Sequence, residues 1–222
     1  MSINHKPIRS FVRRERRMTK EREANFQQLW QRYGLTIADG ICDARKVFQN
    51  QAPIILEIGF GDGEALLTAA RANPHHNYIG IEVYRPGVEA VLHALEKENI
   101  SNIRVYSEDA LLVLEKALPD ASLAAILLFF SDPWPKRCHH KRRLVRSLFI
   151  DLISNKLHRM GYFHFATDWE DYAEHVAKLM QKDTRFACCV YDCILYPRPS
   201  TKFERTGIKA GRGIYDLVYS SI

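Results

Sequence analysis

From residue 54 onward, short apolar runs alternate with stretches of helical period. IILEI (54–58) is apolar apart from one acid and is closed by glycines, which predicts a buried strand. EALLTAARAN (64–73) repeats apolar residues at helical spacing and stops before Pro74. NYIGIEV (77–83) predicts the next strand, and PGVEAVLHALEKEN (86–99) a helix with proline in its first turn. The alternation continues with NIRVYS (102–107) as strand, DALLVLEKAL (109–118) as helix and SLAAILLFF (122–130) as strand. A helix within 141–159, the strand GYFHFAT (161–167) and a helix near 170–182 follow. Two closing runs, RFACCVYDCI and IYDLVYS, have no convincing helix between them and are expected to pair antiparallel. The pattern predicts an α/β, Rossmann-like doubly wound fold: a mainly parallel sheet of about seven strands with an antiparallel last strand. Residues 24–50, with Phe26, Leu29 and Trp30, predict a leading helix, and residues 1 to about 25 read as a basic arm. The chain then divides into an arm and leading helix at 1–50 and one domain at 51–222.

Composition supports that picture. A chain of 222 residues with 46% apolar content can bury one sizeable core. No apolar stretch approaches the ~18 to 20 residues of a membrane span, and no apolar block opens the chain, so a soluble, cytoplasmic protein without a membrane partner is expected. The five cysteines form no CxxC pair and are odd in number, which argues against a zinc site and a disulfide framework; no metal is expected. Charge is more telling in its distribution than in its total of +6. Segments 1–22, 136–150 and 196–213 carry +6, +6 and +4, leaving the remainder at −10. Three basic patches on an acidic body suit a polyanionic partner, although solvated surface segments would look the same.

Ligands of doubly wound sheets bind beyond the carboxyl ends of the strands. The first of these ends runs into Glu57-Ile58-Gly59-Phe60-Gly61-Asp62-Gly63. Gly59 and Gly61, with Gly63, permit a tight turn and let a ligand approach the backbone before a helix N-terminus. The spacing is GxGxG, and the flanking acids would oppose a pyrophosphate. Glu82 closes the second strand, placed to accept hydrogen bonds from ribose hydroxyls. Asp109 after the third either caps the next helix or accepts from an adenine amino group. Asp132 follows the fourth, in SDPWPKRCHHKRR, where Trp134 offers either a stacking surface for a base or a packing element for its loop. Four acids on one rim favour a ligand carrying positive charge, as S-adenosylmethionine does. Asp168, after the fifth strand, either joins the site or caps the following helix. Lys136, Arg137, Lys141, Arg142 and Arg143 are then placed to meet phosphates beside the pocket, because solubilising a helix N-terminus is a poor use of cations.

The order and content of these motifs resemble the class I S-adenosylmethionine-dependent methyltransferases. ILEIGFGDGE, GIEVYRPGV, FFSDPWPKRCHHKRR, FHFATDWEDYAEH and RPSTKFERTG occur in the order found in bacterial tRNA (guanine-N7)-methyltransferases, and RSFVRRERRMT resembles their N-terminal arm. The resemblance spans nearly the whole chain. It implies methyl transfer from S-adenosylmethionine to N7 of the guanosine at position 46 in the tRNA variable loop, by a monomer or homodimer. It also implies that Glu57, Gly59, Gly61, Glu82, Asp109 and Asp132 hold the cofactor, and that Asp132 is the active-site acid. Lys136, Asp168, Thr201, Lys202, Phe203 and Glu204 would contact substrate, and Cys138, His139, His140, Lys141, Arg142 and Arg143 would touch RNA. Ser131 stands where the family usually has proline, and Cys138 where a basic residue is common. Residues 201–204 are expected in a loop that orders when RNA arrives, with Glu204 available to read guanine's donors. Rival expectations are a methyltransferase for another RNA base and a non-enzymatic RNA-binding protein. Glycine spacing disfavours a nicotinamide dehydrogenase.

Overall fold

The computed structural model describes residues 10, 11, 19–189 and 198–222. Most of the basic arm and the second half of RFACCVYDCI therefore lie outside the described residues. Helix α1 (Lys20–Tyr33) leads into a two-residue strand, β1 (Gly34–Leu35), and a short helix, α2 (Ala44–Phe48). The expected alternation follows: β2 (Ile54–Ile58), α3 (Glu64–Ala72), β3 (Asn77–Ile81), α4 (Arg85–Glu98), β4 (Ile103–Tyr106), α5 (Ala110–Lys116) and β5 (Leu123–Phe129). A tight helical turn at Arg137–Arg142 precedes α6 (Ser147–Lys156), β6 (Leu157–Thr167), α7 (Glu170–Met180) and β7 (Phe186–Cys188). The chain closes with α8 (Lys202–Lys209) and β8 (Tyr215–Ser221).

The strands form one sheet in the order β1-β4-β3-β2-β5-β6-β8-β7. All pairs from β1 to β6 are parallel, while β8 runs antiparallel to both β6 and β7. Seven strands were expected, and the eighth is β1, too short to show a period. It pairs Gly34 and Leu35 with Val105 and Tyr106, and α1 packs on α4 through Arg22–Glu89 and Arg32–Glu96 ion pairs. Residues 20–35 are thus built into the sheet domain. The larger departure is α8, which stands where no helix was expected.

Alternation along the central strands splits the core between the two sheet faces. Ile55 joins α1, α3 and α4 through Leu29, Leu66, Val88, Val91 and Leu95. Leu56 and Ile58 face α5, α6 and α7 through Val113, Phe149, Ile153 and Tyr172. Strand order reverses at β2, which has β3 on one side and β5 on the other, and this opens a crevice at their carboxyl ends. Among the described residues, no helix is long and apolar enough to cross a membrane, and no cluster of three metal-ligating side chains occurs.

Candidate active site

The crevice is built around the turn after β2. Gly59, Gly61 and Gly63 all have positive φ, at 74°, 58° and 83°, a region costly for any residue bearing a Cβ. Gly87, at the start of α4, lets that helix meet the turn, since a Cβ there would lie 1.9 Å from the Gly61 carbonyl oxygen. Glu82 fixes the turn from the next strand. It accepts from the Gly61 amide at 2.8 Å and from the Val83 and Tyr84 amides at 2.7 and 2.8 Å.

Glu57 is buried within β2, and its carboxylate has no hydrogen-bond partner among the described residues. Burial, reinforced by the charge of Glu82, pushes it up to about 8. Glu82 is also raised, by burial first and by Asp132 among its neighbours, although its three backbone donors act against the shift. Glu57, Glu82 and Asp132 therefore lie within one electrostatic field. Parallel pairing of β3 with β4 sets Asp109 on the same rim. Its Oδ1 caps α5 by accepting from the Leu111 amide at 2.9 Å, so the capping alternative is realised. Asp168 is no cap: Trp169 occupies that position, and Asp168 instead accepts from Arg212 at 2.7 Å.

The loop after β5 carries Asp132, exposed, between two residues in the left-handed region, Phe130 (φ 51°) and Trp134 (φ 46°). Trp134 is occupied by the protein itself. Arg142 lies 3.8 Å above its ring, His139 meets it edge-on at 5.9 Å, and its Nε1 donates to the Ser10 carbonyl at 3.2 Å. Lys136, Cys138 and Lys141 are exposed, and His139 and His140 partly so. Arg143 departs from the expectation of RNA contact. Its side chain is 1% exposed, so it cannot present a cation to a phosphate.

The expectation of a free loop at 201–204 is also corrected. Thr201 and Glu204 form a reciprocal capping box at the start of α8, the Ser/Thr-x-x-Glu signature that could have revealed the helix from sequence. Glu204 is not available as a loop carboxylate, because Arg198 grips both its oxygens at 2.9 and 3.0 Å. Arg198, 5% exposed, also binds Asp216, which accepts from buried His164 at 2.7 Å. Burial pushes Asp216 up, but the bonds from His164 and Arg198 outweigh it and hold it at about 2.

Helix α8 lies across the crevice. Lys202 and Arg205 bond to Glu64 at 2.7 and 2.8 Å, and Gly207 abuts Asp168 at the other end. Thr201, Lys202 and Phe203 face Glu57, Gly59, Asp62 and Phe129 around a cavity of about 20 Å³. A larger cavity, about 390 Å³, opens at the opposite rim against Cys42, Ile54 and Leu123, away from these acids. The fold rule and the neighbouring acids both single out the smaller one as the candidate site. A buried carboxylate with no hydrogen-bond partner among the described residues, beside a glycine turn, fits a ligand with positive charge and amino or hydroxyl donors.

Known proteins share this chain's sequence family and fold. A sequence profile of the family described as "Putative methyltransferase" matches residues 51–217. A tRNA (guanine-N(7)-)-methyltransferase of Nitrosococcus oceani is 46% identical over 97% of this chain and 92% of its own. One from Stutzerimonas stutzeri is 45% identical over 100% and 94%. Among solved structures, an aminoglycoside resistance methyltransferase matches with TM-score 0.57 at 12% identity, covering 85% of this chain and 94% of its own. An rRNA methylase from Streptococcus thermophilus matches with TM-score 0.51 at 13% identity, covering 80% and 90%. These structural likenesses concern the fold alone.

Proposed function

The chain belongs to the tRNA (guanine-N7)-methyltransferase family, and from that premise we propose how its residues methylate guanosine 46 of the tRNA variable loop. Its cofactor is S-adenosylmethionine, which supplies, when bound, a transferable methyl group on positively charged sulfur. The residues present fit it. Glu57 is a buried acid that would accept donors of the cofactor, the glycine turn allows close backbone approach, and Glu82 and Asp109 would accept from its ribose and adenine donors.

Guanine N7 carries a lone pair and no proton, so the chain needs no general base. Asp132 accepts from the guanine N1–H and amino group and stabilises the positive charge that grows on the base. Asp168, which follows β6 and is anchored by Arg212, shares that task. Lys136, Lys141 and Arg142 receive the RNA backbone, and Thr201, Lys202 and Phe203 form the wall that α8 presents to the site. A cytoplasmic location suits an enzyme of tRNA.

The observation that carries this reading is the shared field of Glu57, Glu82 and Asp132 under a turn of three positive-φ glycines. The test is methyl transfer from labelled S-adenosylmethionine to unmodified tRNA, with nucleoside analysis and Asp132→Ala alongside. 7-Methylguanosine in the variable loop, absent with the variant, is expected. Cofactor binding without product in tRNA would overturn the substrate.

A further inference from the structure

Arg143 stands in the most basic run of the chain, yet it is among its largest fully buried side chains. A buried guanidinium survives only when its charge and donors are met. Its Nε donates to the Pro133 carbonyl at 2.8 Å. Its Nη2 donates to the Asp171 carboxylate and lies 3.2 Å from His140 Nε2. The guanidinium also covers the ring of Tyr172 at 4.8 Å. Pro133 directly follows Asp132, and Asp171 sits in the first turn of α7, just beyond Asp168. One cation therefore ties the loop of the first acid to the first turn of the helix that follows the second.

That loop needs holding. Two non-glycine residues in the left-handed region, Phe130 and Trp134, bracket Ser131, Asp132 and Pro133. Such conformations cost about 1 to 3 kcal/mol each and persist only where surrounding contacts over-determine them. The Phe130 amide is fixed to the Ala166 carbonyl at 2.8 Å, and the Trp134 ring is fixed to Ser10. Tyr172, which accepts from the Val145 amide at 3.2 Å, adjoins Ser131. Arg143 holds the segment through Pro133, the residue after Asp132, and braces Tyr172 through its ring face.

We propose that Arg143 is a positioning residue for methyl transfer: it sets Asp132 relative to Asp168 and touches neither cofactor nor RNA. The proposal rests on the methyltransferase reading. Its test compares wild type, Arg143→Lys, Asp171→Asn and the double variant at saturating tRNA. Rates are expressed per cofactor-binding site counted by calorimetry, so that unfolded protein does not count. Arg143→Lys keeps the charge but loses the fork that reaches Pro133 and Asp171 together. Its kcat is expected to fall about tenfold to a hundredfold, the range for an ångström-scale misplacement. KM for tRNA and the salt dependence of tRNA affinity should stay within about twofold, since no phosphate contact is lost. Asp171→Asn, at an exposed position, should lower kcat less, and the double variant should be no worse than Arg143→Lys alone. If Arg143→Lys fails to fold, Asp171→Asn decides alone, and an unchanged kcat there overturns the proposal. An unchanged kcat in Arg143→Lys, or weaker tRNA binding with a shallower salt slope, overturns it too. Wild type inactive on tRNA would instead overturn the methyltransferase reading, a failure visible before any variant is compared.

Discussion

At Glu57, burial and a neighbouring acid act in the same direction. A carboxyl raised from 4.5 to about 8 keeps its proton in the folded protein after the unfolded chain has lost it. Its contribution to stability is complete below the unfolded value and declines as pH rises, by about 1.4 kcal/mol per unit, until the folded value is passed. The cofactor-free protein should therefore melt lower at pH 8 than at pH 5 through this group, and Glu57→Gln should remove that part of the slope. Cationic ligand favours the ionised form, so binding near pH 7 should release a proton. Calorimetry in buffers of different ionisation enthalpy should detect it in wild type and miss it in Glu57→Gln; equal release in both would remove Glu57 from the site. The residue types at the strand ends were legible in sequence, and so was the cap at Asp109 as one of two readings, since its partner Leu111 lies two residues on. Asp168 as partner of Arg212 and Arg143 as a buried brace were not, because they depend on residues 44 and 28 positions away in the chain.

At the scale of elements, α8 is the piece that the alternation of apolar and polar residues did not reveal. Its length of eight residues gives barely two turns, with Gly207 inside and Pro199 just before it. Its stability comes from the cap and from docking more than from propensity. Thr201→Ala removes one half of the capping box, worth about 1 kcal/mol, and should speed amide exchange across residues 202–209 roughly fivefold. Gly207→Ala tests the docking. A Cβ there would lie 2.8 Å from Asp168 Oδ2 and 3.0 Å from Asp168 Cβ. Alanine favours helix by up to about 1 kcal/mol over glycine, so helicity should hold while α8 is pushed off Asp168. Methyl transfer to tRNA should then fall several-fold without loss of Tm; wild-type turnover would show that this contact does not matter.

Across the whole molecule, basic charge is spent in two ways. Lys136, Arg137 and Lys141 are exposed, whereas Arg143 and Arg198 are interior. The exposed set should govern salt dependence. Replacing all three by alanine should lower the slope of log affinity against log salt by roughly 2 to 3, at about 0.7 to 0.9 per phosphate contact. Arg198 joins α8, β8 and, through Asp216, His164 of β6. Arg198→Ala leaves two carboxylates without their cation and should cost about 3 to 5 kcal/mol in denaturant unfolding.

Alternating strands and helices, the acids at the strand ends, the glycine turn and the family likeness are all readable from the order of residues alone. These are local patterns, set by side-chain period and by the spacing of a few residues. The tertiary structure decided which charges face solvent, that the helix at 202–209 docks across the crevice, and that one buried arginine braces the Asp132 loop. Those outcomes depend on desolvation and on partners remote in the chain, and a residue's own neighbours in sequence carry neither.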